Sequence, residues 1–233
     1  MTELCSAYPK ETHSLLFRVY AQEIPAAERR ERAKLSHLAA WDLFGAAMLR
    51  DFGIRHIRVT RTGLEKPQLV HETLHMNLSH CAGLAVCAVG IVPVGVDAEP
   101  PRPVREKLLP RMCTPEETAY ILAQEDRDFA FSRIWTLKEA YGKLSGAGIR
   151  ADFRTVGFRL EPRLQMTVPE EPDLCFLQMT QENRYAVSVC IRYENALDVE
   201  KSRNWEMNIN GNGIVLCQSD TGKAGHSPDP AEI

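Results

Sequence analysis

The 233 residues predict an α+β protein of two similar lobes lying side by side. Three observations carry that expectation. A helical stretch followed by short alternating strands occurs twice, once after Pro25 and again from Phe131. A stiff crossing, Pro100 to Pro103, separates the two occurrences. The run Ala82 to Val89 ahead of it is apolar enough for a strand buried on both faces. The expected boundaries are an N-terminal lobe over 1–100, a C-terminal lobe over 101–199 and a mobile polar tail over 200–233.

Taken in order, Leu15 to Tyr20 predicts a first strand. Leu35, Leu38, Leu43, Ala47 and Leu49 then fit a long helix that ends near Gly53. Its opening is basic, with Arg29, Arg30, Arg32 and Lys34; such a run is ordinarily a solvated face. Ile57 to Thr60 alternates as a short strand, and Thr62 to Pro67 is a turn carrying Lys66. Leu74 to Ser79 alternates again and stops at His80. In the second half, Thr114-Pro115-Glu116-Glu117 is a helix start, with a capping threonine, proline at the first helical position and glutamate at the third. A break at Glu125-Asp126 leads to an amphipathic helix through Ile134, Leu137, Tyr141 and Leu144, closed by Gly146. Strands are expected at 153–158, 174–177 and 185–190, and a short ordered piece around Ile214 to Leu216.

Hydrophobic content of 44% and charged content of 25% are those of an ordinary globular protein. A net charge of -3 and a pI near 6.2 argue against general nucleic-acid affinity. No apolar run reaches the roughly 18 residues of a membrane span, and no signal-peptide pattern opens the chain. The seven cysteines are scattered without Cys-x-x-Cys spacing and read as reduced thiols of a cytoplasmic protein.

Two segments carry chemistry. Glu139 and Lys143 sit one turn apart on a helix face beside Trp135, with Lys138 to one side. As a plain surface ion pair this contributes only about 0.3–0.5 kcal/mol. Upstream, Asp97 and Glu99 are two apart at the end of an apolar strand, so both point to one face with nothing of opposite charge beside them. Two such carboxylates repel unless a cation lies between them, and a divalent ion with oxygen ligands would resolve the strain with Glu139 as third ligand. Ser79, His80 and Lys66 offer a hydroxyl, an imidazole and an ammonium to one anion.

Gly95-Val96-Asp97-Ala98-Glu99, followed some forty residues later by Trp135-Thr136-Leu137-Lys138-Glu139-Ala140-Tyr141-Gly142-Lys143, resembles the paired signature of the 4'-phosphopantetheinyl transferases of the Sfp type. The resemblance reaches upstream to Lys66-Pro67 and Asn77-Leu78-Ser79-His80 and covers roughly residues 15 to 195. It implies two lobes related by a pseudo-two-fold, with the site in the cleft, in a monomer. It implies a holo-acyl-carrier-protein synthase activity: the phosphopantetheine arm of coenzyme A passes to a serine of an apo acyl or peptidyl carrier protein, releasing adenosine 3',5'-bisphosphate. By the resemblance, Asp97, Glu99 and Glu139 would hold Mg2+ or Mn2+, and Lys138 and Lys143 would neutralise the phosphates. Arg29, Arg32, Lys66, Ser79 and His80 would contact the nucleotide end of coenzyme A. Glu139, alone or through a water, would take the serine proton, with Glu117 or Glu116 as the alternative. The early helix departs from the family pattern at Trp41-Asp42, where related enzymes carry an Arg-Thr pair. The acidic carrier would dock near Met112, Phe129 and Arg111, although core packing is the plainer reading of Met112 and Phe129. Other classes consistent with these residues are another Mg2+-dependent phosphotransferase or hydrolase, or a carrier-binding protein without catalysis.

Overall fold

A computed structural model describes residues 17–25, 29–60, 67–71, 73–146, 153–169, 171–192, 205–210 and 213–218. Side chains of Arg29, Arg30, Arg32 and of 205–218 are outside that description. The element sequence helix, short hairpin, long antiparallel pair occurs twice. The first set is α1 (Arg29–Phe52), β2 (Val59–Thr60) with β3 (Gln68–Leu69), and β4 (His75–Cys81) with β5 (Leu84–Gly90). The second is α4 (Arg127–Ser145), β7 (Gly157–Arg159) with β8 (Gln165–Val168), and β9 (Leu174–Gln181) with β10 (Tyr185–Arg192). This is the α+β plan of two similar lobes.

Strand alternation stacks the lobes back to back. Val19 and Ala21 of β1 (Phe17–Glu23), Val86 and Ala88 of β5, and Val187, Val189 and Ile191 of β10 fill a central layer between the two sheets. The opposite faces each carry a helix: Tyr20, Ala85, Cys87 and Val89 pack under α1, and Phe176 and Cys190 pack under α4. Strand β6 (Val94–Glu99) places Val94, Val96 and Ala98 in the central layer, which turns Gly95, Asp97 and Glu99 toward α4. A Cβ on Gly95 would overlap the Ala140 carbonyl oxygen and the Leu144 amide. The glycine is therefore what lets α4 lie against β6 and carry its side chains to the carboxylates.

Local signals sit where expected. After the short α2 (Leu109–Met112), Thr114 caps α3 (Pro115–Ala123) in a complete capping box with Glu117, and Gly146 ends α4 in the left-handed region at φ 74°. Other expectations are corrected. The lobe boundary does not fall at Pro100–Pro103, because β6 pairs along its length with β10 and so belongs to the second sheet. The tail is not wholly mobile: β11 (Trp205–Asn210) and β12 (Gly213–Gln218) form a hairpin whose second strand pairs with β1, giving a five-stranded sheet of order β11-β12-β1-β5-β4. The strand expected over 153–158 is a 3-10 turn at Phe153–Thr155 followed by β7. On α1, Leu35, Leu38 and Leu49 are exposed, and the buried face is Ser36, Ala40, Leu43, Phe44, Ala47 and Met48. Among the described residues no helix is long and apolar enough to cross a membrane, and Cys81, Cys87, Cys113, Cys175 and Cys190 are free thiols.

Candidate active site at the seam of the lobes

The two lobes meet where β4 runs beside β6, and side chains rather than a backbone ladder join them. Asn77 Oδ1 accepts the Val96 N–H at 2.9 Å, and Ser79 Oγ accepts the Ala98 N–H at 3.3 Å. Ser79 then donates its one hydroxyl proton to Asp97 Oδ1 at 2.8 Å. From α4, Lys143 Nζ reaches across the seam to the same Asp97 oxygen at 2.7 Å and to the carbonyls of Val96 and Leu78 at 3.0 and 3.5 Å. One oxygen of the buried Asp97 is thus doubly held. The other, Oδ2, is buried with no hydrogen-bond partner, and so is Oε1 of Glu139 on the neighbouring turn of α4.

Unpaired buried carboxylate oxygens are costly, and the charge pattern registers that cost. Burial pushes the Glu139 carboxyl up to about 6, the negative charges of Asp97 and Glu99 push the same way, and Lys143 and Arg102 oppose them. Burial and Asp97 likewise raise Glu99, which Arg102 counters. The three acids lie in one field, yet among the described residues no group of three or more acidic, histidine or cysteine side chains closes around a common point. Glu99 is drawn aside by Arg102, whose Nη1 donates to Glu99 Oε1 at 2.9 Å. The expectation that nothing of opposite charge stands beside Asp97 and Glu99 is therefore corrected twice, by Lys143 and by Arg102. The donor set of hard oxygens, two of them buried and unpaired, fits a divalent cation such as Mg2+.

His80, exposed at the end of β4, shares a hydrogen bond of 3.1 Å between its Nδ1 and Ser36 Oγ on α1, and the His37 ring stands 5.6 Å away, edge to face. Burial, His37 and Lys143 hold its pKa below the usual imidazole range, against the pull of Asp97. The fields of Lys143 and Asp97 put His80 on the margin of the same site. The expectation that Ser79 and His80 present themselves together to one anion is corrected by strand geometry: adjacent residues face opposite sides, Ser79 inward to Asp97 and His80 outward. Trp41, half-buried, donates to His37 Nε2 at 3.2 Å, and Asp42 points to solvent. Lys66 and the side chains of Arg29 and Arg32 lie outside the described residues.

Lys138 is corrected outright. It follows Ile134 by four residues and shares that buried face of α4, so its ammonium enters the core rather than the site. There it meets Glu117 Oε2 at 2.6 Å and the carbonyls of Met112, Phe153 and Val156 at 3.0, 2.7 and 2.6 Å. Glu117 in turn accepts the N–H groups of Thr114 and Phe158, both at 2.8 Å, and is fully buried. No external hydroxyl reaches it, which removes Glu117 as a base.

Beside the carboxylates, on the α4 side of β6, opens a groove of about 310 Å3. Leu108, Leu109, Met112 and Phe131 form its apolar lining, with Arg102 and Arg105 at the rim. Phe129 is a core residue, as the plainer reading of it had it. Sequence reasoning missed Arg102, Ser36 and His37; the signal for the first was a cation three residues after Glu99.

The model of the 4'-phosphopantetheinyl transferase superfamily matches residues 93–190, which run from the residue before β6 to near the end of β10. The 4'-phosphopantetheinyl transferase psf-1 of Bacillus pumilus is 30% identical over 62% of this chain and 70% of its own length. The 4'-phosphopantetheinyl transferase HetI of Nostoc is 32% identical over 51% of this chain and 52% of its own length, and the transferase Sfp of Bacillus subtilis is 26% identical over 50% and 54%. The chain thus spans about half the length of the latter two. A solved holo-(acyl-carrier-protein) synthase from Bacillus anthracis in complex with CoA (3',5'-ADP) overlays at a TM-score of 0.39 and 18% identity, covering 44% of this chain and 97% of that one, a likeness too slight to carry weight. By its match over more than two thirds of psf-1 and by the family model on the segment that holds Asp97, Glu139 and Lys143, the chain belongs to the 4'-phosphopantetheinyl transferase superfamily and is a transferase of that class.

Proposed function

We propose that the protein moves the 4'-phosphopantetheine arm of coenzyme A to a serine of an apo acyl or peptidyl carrier protein in a Mg2+-dependent reaction that releases adenosine 3',5'-bisphosphate. The observation that carries this is the pair of buried, unpartnered oxygens, Asp97 Oδ2 and Glu139 Oε1, facing one field beside Lys143 inside the family-matching segment. Asp97, Glu99 and Glu139 would hold the ion, whose chemistry is to draw off pyrophosphate charge. Lys143 orients Asp97 and places positive charge at the seam. His80, with Arg29, Arg32 and Lys66, would receive the nucleotide end; Ser79 acts through Asp97.

In the reaction the serine oxygen bonds to the β-phosphorus, the bond from that phosphorus to the bridging oxygen breaks, and the bisphosphate leaves with the electron pair. Glu139, alone or through a water, takes the serine proton. The apolar groove with Arg102 and Arg105 at its rim receives the acidic carrier, with Met112 in its wall and the exposed Arg111 close by. Two complete lobes in one chain support a monomer, and free thiols support a reducing, cytoplasmic setting.

Intact mass of an apo carrier protein after incubation with coenzyme A and Mg2+ tests the reading. A gain of one phosphopantetheine arm, about 340 daltons for this transfer, lost with chelator and in Glu139→Gln, is expected. No gain on acyl and peptidyl carriers alike would overturn it.

A further inference from the structure

Arg102 stands where the carboxylate pocket and the groove meet. Its Nη1 bonds Glu99, its guanidinium lies 4.3 Å from the centre of the Trp135 ring, and its side chain also lines the groove. Its backbone is pinned, since the N–H donates to Ser132 Oγ at 2.8 Å and prolines flank it on both sides. Only the side chain is left to move, and it is more than a third exposed.

Three carboxylates, Asp97, Glu99 and Glu139, face two cations, Lys143 and Arg102. Lys143 is committed to Asp97 and to two carbonyls on the seam. A divalent cation that takes Glu99 Oε1, the oxygen Arg102 holds, competes with Arg102 for it. The guanidinium already lies over Trp135 and lines the groove with Arg105, so release from Glu99 would leave a positive charge there without its carboxylate. An apolar groove with two arginines at its rim is complementary to an acidic amphipathic segment.

We infer that Arg102 is a positioning residue that couples divalent-cation binding at Glu99 to docking of an acidic carrier domain in the groove. This rests on the carrier-protein reading given above. By linkage the coupling is reciprocal: the cation tightens the carrier, and the carrier tightens the cation by the same factor.

The test measures binding to the full chain by calorimetry, using an apo acyl carrier protein whose acceptor serine is changed to alanine. It is run with and without MgCl2 for wild type, Arg102→Met and Arg102→Lys, and Mg2+ alone is titrated by thermal shift. Mg2+ is expected to tighten carrier binding about fivefold or more in wild type and less than about twofold in Arg102→Met, with Arg102→Lys between them. Mg2+ alone is expected to bind Arg102→Met more tightly than wild type, because its competitor is gone. A purely structural role would lower thermal stability and weaken the carrier equally with and without Mg2+, which overturns the inference. Carrier binding by wild type that ignores Mg2+, or coupling undiminished in Arg102→Met, overturns it too while leaving the transferase reading intact. Wild type that binds neither carrier nor Mg2+ sinks that reading, and this inference with it.

Discussion

Helix α4 carries two lysines that each meet a carboxylate, and the two pairs are built in opposite ways. Lys138 and Glu117 are sealed, with side chains 1% and 0% exposed, and every oxygen and proton of the pair has a partner within the pair or from Met112, Thr114 and the 153–158 segment. Lys143 and Asp97 stand at the seam, 25% and 8% exposed, and one Asp97 oxygen is left without a partner. Both lysines belong to the same Trp-Thr-Leu-Lys-Glu-Ala-Tyr-Gly-Lys run. The difference teaches that a charge whose valence is filled within the chain holds the fold, whereas one left incomplete is open to a ligand.

The sharpest way to break this comparison is to remove a charge from each pair and read activity and stability separately. Asp97→Asn and Glu139→Gln are expected to lower kcat/KM about 100-fold or more, beyond the 10–100-fold cost of losing an outer-shell partner, with the denaturation midpoint moved far less than by breaking the sealed pair. Lys138→Met is expected to do the reverse, costing about 3–5 kcal/mol of stability because it leaves Glu117 buried and uncompensated. Adding Glu117→Leu should recover part of that loss, short of the donors owed to the Met112, Phe153 and Val156 carbonyls and the acceptors owed to the Thr114 and Phe158 N–H groups. Urea denaturation and steady-state carrier modification measure the two axes; a fully stable Lys138→Met with lost activity would erase the distinction. A smaller effect of the same kind is expected for Ser79→Ala. It frees the Ala98 N–H and half of the hold on Asp97, at about 1–3 kcal/mol, and equal urea midpoints for variant and wild type would deny Ser79 its positioning role.

What the sequence made legible was local. The capping box at Thr114, the Gly146 stop, the alternation of β4 and the apolar run of β5 are encoded within a few residues, so periodicity and cap chemistry find them. The alternation also held the answer for Ser79 and His80, which as neighbours in a strand cannot share a face. What stayed hidden depended on distant chain. Lys138 is neutralised by Glu117, 21 positions upstream, and by carbonyls on both sides of it in sequence, none of which a helical repeat reports. The lobe boundary was misplaced because Pro100–Pro103 marks a stiff turn, while the sheet to which β6 belongs is decided by its partner β10, about ninety residues on. The strand pairing of 213–218 with β1 is equally remote from its polar surroundings.

The finest test of the open pair is its pH dependence without metal. Glu139 in the folded chain titrates at about 6, above the ordinary carboxyl value, chiefly through burial and then through Asp97. A raised acid binds its proton more tightly when folded, so its contribution to stability is complete below the ordinary carboxyl range and is lost as pH rises through about 6. In chelator, wild type is therefore expected to lose stability over that window relative to Glu139→Gln, whose amide carries no charge to repel Asp97. At pH 7.5 the variant should melt higher by about 2–4 °C, the shift of roughly 1 kcal/mol for a chain of this size. Mg2+ should raise wild type and leave the variant nearly unmoved, since the unpaired Glu139 oxygen that strains the empty pocket is the same atom that would hold the ion. Parallel pH curves for the two proteins in chelator would mean that the buried oxygen is solvated and that the seam, like the Lys138 pair, is already complete.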